Sequence, residues 1–308
     1  MKVYTENPLT YRALYDSPLL TVRDYRCRIG RGGPAAEEHS DLNGIVLMRH
    51  GAFCKHFGRR SVTADVNQAV FFSKGSTYRV SHPADCGDRG AVFVLSPAVL
   101  NDIIRELDPS IDDRPDRPFL FVTGPCDSGI FWRQHELVER LEAAESVPLD
   151  PLWVEATTLK LIAEVLEAAF AQCGRRMPQA RRRNGTDADH ADRVEAVKAY
   201  LASRLCERIT LDDVARAVFA SPFHLARVFQ QRTGMPVHRY LTLLRLRTSL
   251  DHLAGGANNL TALALELGFS SHSHFADAFR REFGSTPSEV RRNTSRRMLR
   301  EMSKNLIV

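Results

Sequence analysis

The stretch SPFHLARVFQQRTGMP, Ser221 to Pro236, returns fifty positions later as SHSHFADAFRREFGSTP, Ser271 to Pro287. In a chain of 308 residues this short internal repeat constrains the fold more than composition does, because it means that one supersecondary unit is built twice. LDDVARAV (211–218) precedes the first copy and TALALELG (261–268) the second. The leading elements align at an offset of 49 and the following ones at 50, so the second turn is one residue longer. Val214, Ala215 and Val218 are spaced to face inward. Ser221 suits an N-cap and Pro222 a first helical position. Leu225, Val228 and Phe229 form a stripe at helical spacing, and Gly234 followed by Pro236 ends the helix.

The opposite face of this helix carries Phe223, Ala226, Arg227, Gln230 and Gln231. Guanidinium, amide and small apolar groups on an exposed helix match guanine, adenine and the thymine methyl in a major groove. Two helices joined by a tight turn, the second presenting such a face, describe a helix-turn-helix; a plain two-helix hairpin has the same periodicity. Charge favours DNA. Residues 191–308 hold 18 Lys and Arg against 11 Asp and Glu, a net +7, while the remaining residues are net −2. A basic block on a near-neutral body fits a polyanion. Between the units, Tyr240, Leu243, Leu244, Leu246, Leu250 and Leu253 predict a helix of about 18 residues, roughly 27 Å long at 1.5 Å per residue. That length holds two reading helices near the roughly 34 Å between successive major-groove faces.

Upstream the texture differs. IVLMRHGAF, AVFFSKG, YRVSHP and GAVFVLSP are short β-rich runs between Gly, Asn, Asp and Pro, the rhythm of an antiparallel sandwich or barrel over residues 1–125. From Pro97 helical spacing begins, and 126–173 reads as a helical hairpin suited to dimerisation or to capping the sheet. Residues 174–190, with five Arg and no apolar periodicity, read as a linker; 293–308 reads as a basic tail. No apolar run reaches the roughly 18 residues of a membrane span, and no secretion signal opens the chain, so a cytoplasmic location without membrane contact is expected. Six scattered Cys without a C-x-x-C pair read as free thiols.

Residues 192–292, above all A-x-x-x-G-F-x-x-x-S-x-F-x-x-x-F-R-R-x-F-G-x-T-P in the second unit, resemble the DNA-binding domain of the AraC/XylS transcription regulators. The resemblance implies an α+β chain: an N-terminal cupin-like β domain that binds a small effector, and a C-terminal all-α domain (191–292) of two helix-turn-helix units joined by a long helix. Ser221, Phe223, Ala226, Arg227, Gln230 and Gln231 would then meet DNA in the first unit. Ser271, His272, Ser273, Ala276, Asp277, Arg280 and Arg281 would do so in the second. The family often has a longer polar residue at Ala226 and a basic one at Asp277, so the second helix is expected to hold phosphate more weakly. The Asp277 carboxylate is expected to pair with Arg280 or Arg281 on the same helix; the alternative is that it accepts from a cytosine amino group. The implied partners are double-stranded DNA, a small-molecule effector, a second copy of the chain and RNA polymerase.

In the front domain His39, Phe72, Tyr78 and His82 are the effector-site candidates, with Phe71 beside them in an apolar cavity. The cupin H-x-H pair is missing, so no resident metal, cofactor or catalytic residue is expected. Two other readings remain. One is a redox- or metal-sensing regulator acting through Cys27, Cys54, Cys86 or His39. The other is a cupin-type metal enzyme fused to a DNA-binding tail.

Overall fold

The computed structural model describes residues 8–144, 149–180, 185–255 and 259–292. The expected basic tail, 293–308, lies outside the described residues. The chain is α+β. Nine strands come first: β1 (Leu9–Asp16), β2 (Leu20–Cys27), β3 (Glu38–His39), β4 (Gly44–His50), β5 (Ala52–Phe57), β6 (Arg60–Asp65), β7 (Gln68–Phe72), β8 (Thr77–Ser81) and β9 (Asp88–Leu95). Helix α1 (Pro97–Arg105) and strand β10 (Thr123–Pro125) follow. They form an antiparallel sheet in the order β1-β2-β9-β4-β7-β10 and a second in the order β3-β8-β5-β6. Alternation decides which side chains enter the space between them. On β7, Phe71 and Phe72 point to opposite faces, as a period of two requires. Phe71 packs against Phe119 and Phe121, with ring centroids 5.0 and 4.7 Å away, whereas Phe72 meets Tyr78 at 5.1 Å.

Helices α2 (Ser128–Ala143) and α3 (Pro151–Ala180) cover the larger sheet. Ions fix α2 to the sheet. The buried Arg49 of β4 reaches Glu139 at 2.7 Å, Glu142 at 3.2 Å and Asp24 at 3.5 Å, and Arg89 also pairs with Asp24 and Glu142. The irregular linker expected over 174–190 is not what forms. Helix α3 runs on to Ala180 and α4 (Gly185–Ser203) begins at Gly185, with 181–184 outside the described residues. A helix already nucleated needs no apolar stripe to continue, and Arg, Gln, Met and Ala favour it here against Gly174 and Pro178, which do not.

The C-terminal helices are α5 (Leu211–Ala217), α6 (Pro222–Thr233), α7 (Val237–Ala254), α8 (Leu260–Glu266) and α9 (His272–Phe283). The leucine stripe expected on α7 is buried, but so are Arg247, Thr248 and Ser249. The helix packs on α6, on α9 and on β4 of the β region. Its polar anchors are specific. Arg247, 1% exposed, donates from Nη1 to the carbonyls of Val66 (2.7 Å) and Cys126 (2.8 Å) and from Nη2 to Ser128 Oγ (3.2 Å). Tyr240 donates its hydroxyl to Asp65 Oδ2 at 2.7 Å, and Asn67 Nδ2 donates to the Tyr240 carbonyl at 3.2 Å. On α4, Glu195 accepts from the Thr63 amide at 2.7 Å.

Candidate DNA interface and effector cavity

Helices α6 and α9 are each built by local chemistry. Ser221 Oγ accepts from the His224 amide at 3.3 Å and Ser271 Oγ from the His274 amide at 3.1 Å. Each satisfies one of the amides that a helix start leaves without a partner. Gly234 (φ 80°) and Gly284 (φ 73°) close the other ends in the left-handed conformation, their amides donating to Gln230 and Arg280 at 2.9 Å. The leading helices are capped as well. Thr210 and Asp213 form a reciprocal capping box, and Asn259 Oδ1 accepts from Thr261 and Ala262. The Thr210 hydroxyl and amide hold the Asp213 carboxyl below its usual range.

The buried stripes are Leu225, Val228 and Phe229 in α6 and Phe275, Ala278 and Phe279 in α9. The other faces are open. In the first unit Ser221, Phe223, Arg227, Gln230 and Gln231 are exposed and Ala226 is half-buried. In the second, Ser271, Ser273, Asp277, Arg280 and Arg281 are exposed, with His272 and Ala276 half-buried. Arg281 Nε donates to the Asp277 backbone carbonyl at 3.2 Å, and among the described residues no ion pair joins the Asp277 side chain to Arg280 or Arg281. The expected pairing is therefore not formed, because the i,i+4 guanidinium turns to the helix backbone instead. The first face thus offers a cation and two amides, and the second an unpaired carboxylate between basic residues.

The turns differ as well. Phe219 sits at φ 52° and is 93% exposed; its counterpart is Gly268 at φ 78°. The same hydrogen bond closes both turns, from Ala220 N to Ala215 O and from Phe269 N to Ala264 O, each 2.9 Å. Arg245 of α7 donates to the carbonyl of Gly268 (3.0 Å) and to those of Leu205 (2.7 Å) and Glu207 (2.6 Å), which ties the second turn to the segment after α4.

Between the sheets of the β region lies a cavity of about 210 Å³. Phe72, Tyr78 and His82 line it, as do Tyr11, Tyr25, Cys27 and Asp88. Phe71 faces away, and His39 stands outside the lining, exposed on β3 and 3.2 Å from Asp41. A two-residue strand at the edge of the smaller sheet holds His39 in solvent, which lone-residue spacing did not reveal. Behind the aromatic wall, buried Lys55 places Nζ 3.7 Å from the Phe72 ring centroid and 4.9 Å from that of Tyr78. It donates to the Phe71 carbonyl, and burial lowers its ammonium to about 8. His82 is raised to about 9, chiefly by the Asp88 carboxylate and then by Cys27, against the opposing pull of burial. Sequence spacing missed Tyr11, Tyr25 and Asp88, which only strand pairing brings to this place.

A helix-turn-helix domain family matches residues 214–293. The HTH-type transcriptional activator RhaS of Escherichia coli (strain SE11) is 34% identical over 101 residues, covering 33% of this chain and 36% of that protein. The chain thus spans about a third of the length of the curated relatives it matches. Among solved structures, a transcriptional regulator with an AraC-type DNA-binding domain from Chromobacterium violaceum is 28% identical, covering 35% of this chain and 96% of that one, with a TM-score of 0.33. ToxT from Vibrio cholerae O395 covers 89% of this chain and 98% of its own, at 12% identity and a TM-score of 0.33. Among the described residues, no helix is long and apolar enough to cross a membrane.

Proposed function

We infer that this chain, which belongs to the AraC/XylS regulators through its C-terminal helix-turn-helix domain, is a ligand-responsive transcription regulator and not an enzyme. The observation that carries the reading is the pair of capped, solvent-facing helices α6 and α9 on either side of α7. Arg227, Gln230 and Gln231 read base edges from α6, with Ser221, Phe223 and Ala226 at its rim. Ser271, His272, Ser273 and Ala276 approach the adjacent groove segment, Asp277 favours a cytosine amino group, and Arg280 and Arg281 meet phosphate. The effector occupies the cavity of the β region. Val46 of β4 lines that cavity while β4 also packs on α7, so an occupant acts on the helix that spaces the two readers. To shift an equilibrium the effector must bind one placement of α7 more tightly than another. A second copy would associate through the outer faces of α2 and α3, where Leu152 is exposed, and RNA polymerase would be met from the DNA-bound state.

The test is binding of the full chain to a duplex carrying its operator, across a salt series. Arg227→Ala is expected to weaken binding by about 1–3 kcal/mol and to relax preference at one base position. An equal loss on every duplex with a shallower salt slope would make Arg227 a phosphate contact and contradict the assignment.

A further inference from the structure

The cavity wall holds a group of side chains that base reading does not use. Cys27 Sγ lies 3.4 Å from His82 Nε2, Nε2 lies 3.0 Å from Asp88 Oδ2, and the three atoms all fall within 4.8 Å of one another. The residues are 8%, 7% and 4% exposed. All three positions are held by backbone. Cys27 ends β2 and Asp88 begins β9 as direct cross-strand partners. His82 exchanges backbone hydrogen bonds with Gly32, at 3.1 and 3.3 Å. Gly87, at φ 68°, lets the intervening loop close on β2, since a Cβ there would stand 2.4 Å from the Cys27 carbonyl oxygen.

Two features point to a cation. One imidazole nitrogen faces both the sulfur and the carboxylate, and a single N–H cannot serve both. The contact to Asp88 is at ion-pair distance but is not aligned as a hydrogen bond, and among the described residues no aligned donor reaches Oδ2, on a carboxylate buried beyond nine-tenths. A buried carboxylate oxygen without an aligned donor is costly, and a cation among the three atoms satisfies them together. Thiolate, imidazole and carboxylate are the ligand set of zinc. Zinc bonds of about 2.3 Å to sulfur and about 2.0–2.1 Å to nitrogen put those two atoms roughly 3.5 Å apart in a tetrahedron. The observed 3.4 Å already meets this.

We propose that Cys27, His82 and Asp88 form a site for a zinc-class divalent cation, with its fourth position open to the cavity. Of the four candidates expected from the sequence, Cys27 is in this site, and the other three each have another neighbour: Thr63 Oγ1 for Cys54, the Gly87 carbonyl for Cys86 and Asp41 for His39. A three-ligand site leaves room for a Lewis-basic head group, such as a carboxylate or thiol, on the cavity's occupant. The cation links β2 and β9 to the segment after β8, and β9 pairs with β4 beneath α7. Its regulatory consequence rests on the reading of the chain as a regulator; the site itself does not.

The experiment is titration of the chelator-treated full chain with cobalt(II). The site predicts a thiolate-to-cobalt charge-transfer band that saturates at one equivalent, yields to zinc, vanishes in Cys27→Ser and persists in Cys86→Ser. Asp88→Asn is expected to weaken cobalt binding by more than about 100-fold, beyond the loss of an outer partner. On the unmutated chain, zinc is expected to protect Cys27 from alkylation, read by mass spectrometry, while the exposed Cys86 and Cys206 still react. No band, a band that survives Cys27→Ser, or alkylation of Cys27 unchanged by zinc would overturn the site. DNA affinity of the same samples is a separate readout. Binding to DNA without the band removes the metal site alone, and the band without DNA binding removes the regulator reading alone.

Discussion

The two helix-turn-helix units share caps, buried stripes and turn hydrogen bonds, yet the rest of the chain holds them differently. The second is tied down on several sides. Glu282 of α9 bonds Ser128 of α2 and pairs with Arg239 of α7, Phe283 lies 5.5 Å from the Trp132 ring, and Arg245 holds the Gly268 turn. The first meets α4 and α7, and its turn projects Phe219 into solvent. The unit with the cationic, amide-bearing face thus rests on α4 and α7, where His224 meets His190 at 3.2 Å, and the one carrying Asp277 is docked on α2 and α7. On the proposed function, an effector that loosened that docking would act on the second unit first.

The largest expected effect comes from removing what anchors both. Arg247→Leu strands the Val66 and Cys126 carbonyls, each costing about 1–3 kcal/mol unpaired. Denaturant unfolding is expected to show a loss of about 3 kcal/mol, and a loss under about 1 kcal/mol would mean that α7 is held by its leucines alone.

Next is acidity at the same interface. Burial raises the Asp65 carboxyl to about 6, opposed by the Tyr240 hydroxyl, Lys198 and the Asn67 amide and reinforced by Glu195. The folded chain then binds this proton more readily than the unfolded chain, whose carboxyl titrates near 3.9. Asp65 thus destabilises above about pH 6 and is relieved as pH falls toward 4. Relative to Asp65→Asn, the wild type is expected to gain on the order of 2 kcal/mol between pH 7 and 4. The comparison with the variant is needed because His135, lowered to about 4 by burial, drives total stability the other way on acidification. A constant gap between the two proteins would show that Asp65 is no more acid-sensitive folded than unfolded.

The turns give a smaller contrast of opposite signs. In Gly268→Ala the new Cβ meets the Arg245 guanidinium at 2.6 Å and the Cys206 carbonyl at 3.1 Å, at φ 78°. A loss of about 1–3 kcal/mol in thermal unfolding is expected. Phe219→Gly relieves a left-handed aromatic residue that packs on nothing and is expected to gain about 0.5–1 kcal/mol. Equal effects at the two turns would mean that the units are held alike after all.

What the sequence revealed follows contact range. Ser221, Gly234 and the Leu225–Val228–Phe229 stripe act within one helix, so spacing of three and four displays them, and the same holds for the leucines of α7. Phe71 and Phe72 are adjacent, and only knowing which face of β7 meets the helices decides which ring enters the cavity. Cys27 and Asp88 are 61 positions apart and meet through the β2–β9 register. The burial of Arg247 depends on three acceptors outside α7, which helical spacing does not display. The unpaired Asp277 was missed for the reverse reason, since the Arg281 side chain prefers the helix backbone.

The proposed function requires two helices that read DNA in tandem. Selection of duplexes from a random pool by the full chain tests this most directly. It predicts a motif of two informative blocks whose centres lie about 10 base pairs apart, with one block losing a base preference in Arg227→Ala while the other is unchanged. A single block, or a motif indifferent to Arg227, would contradict it.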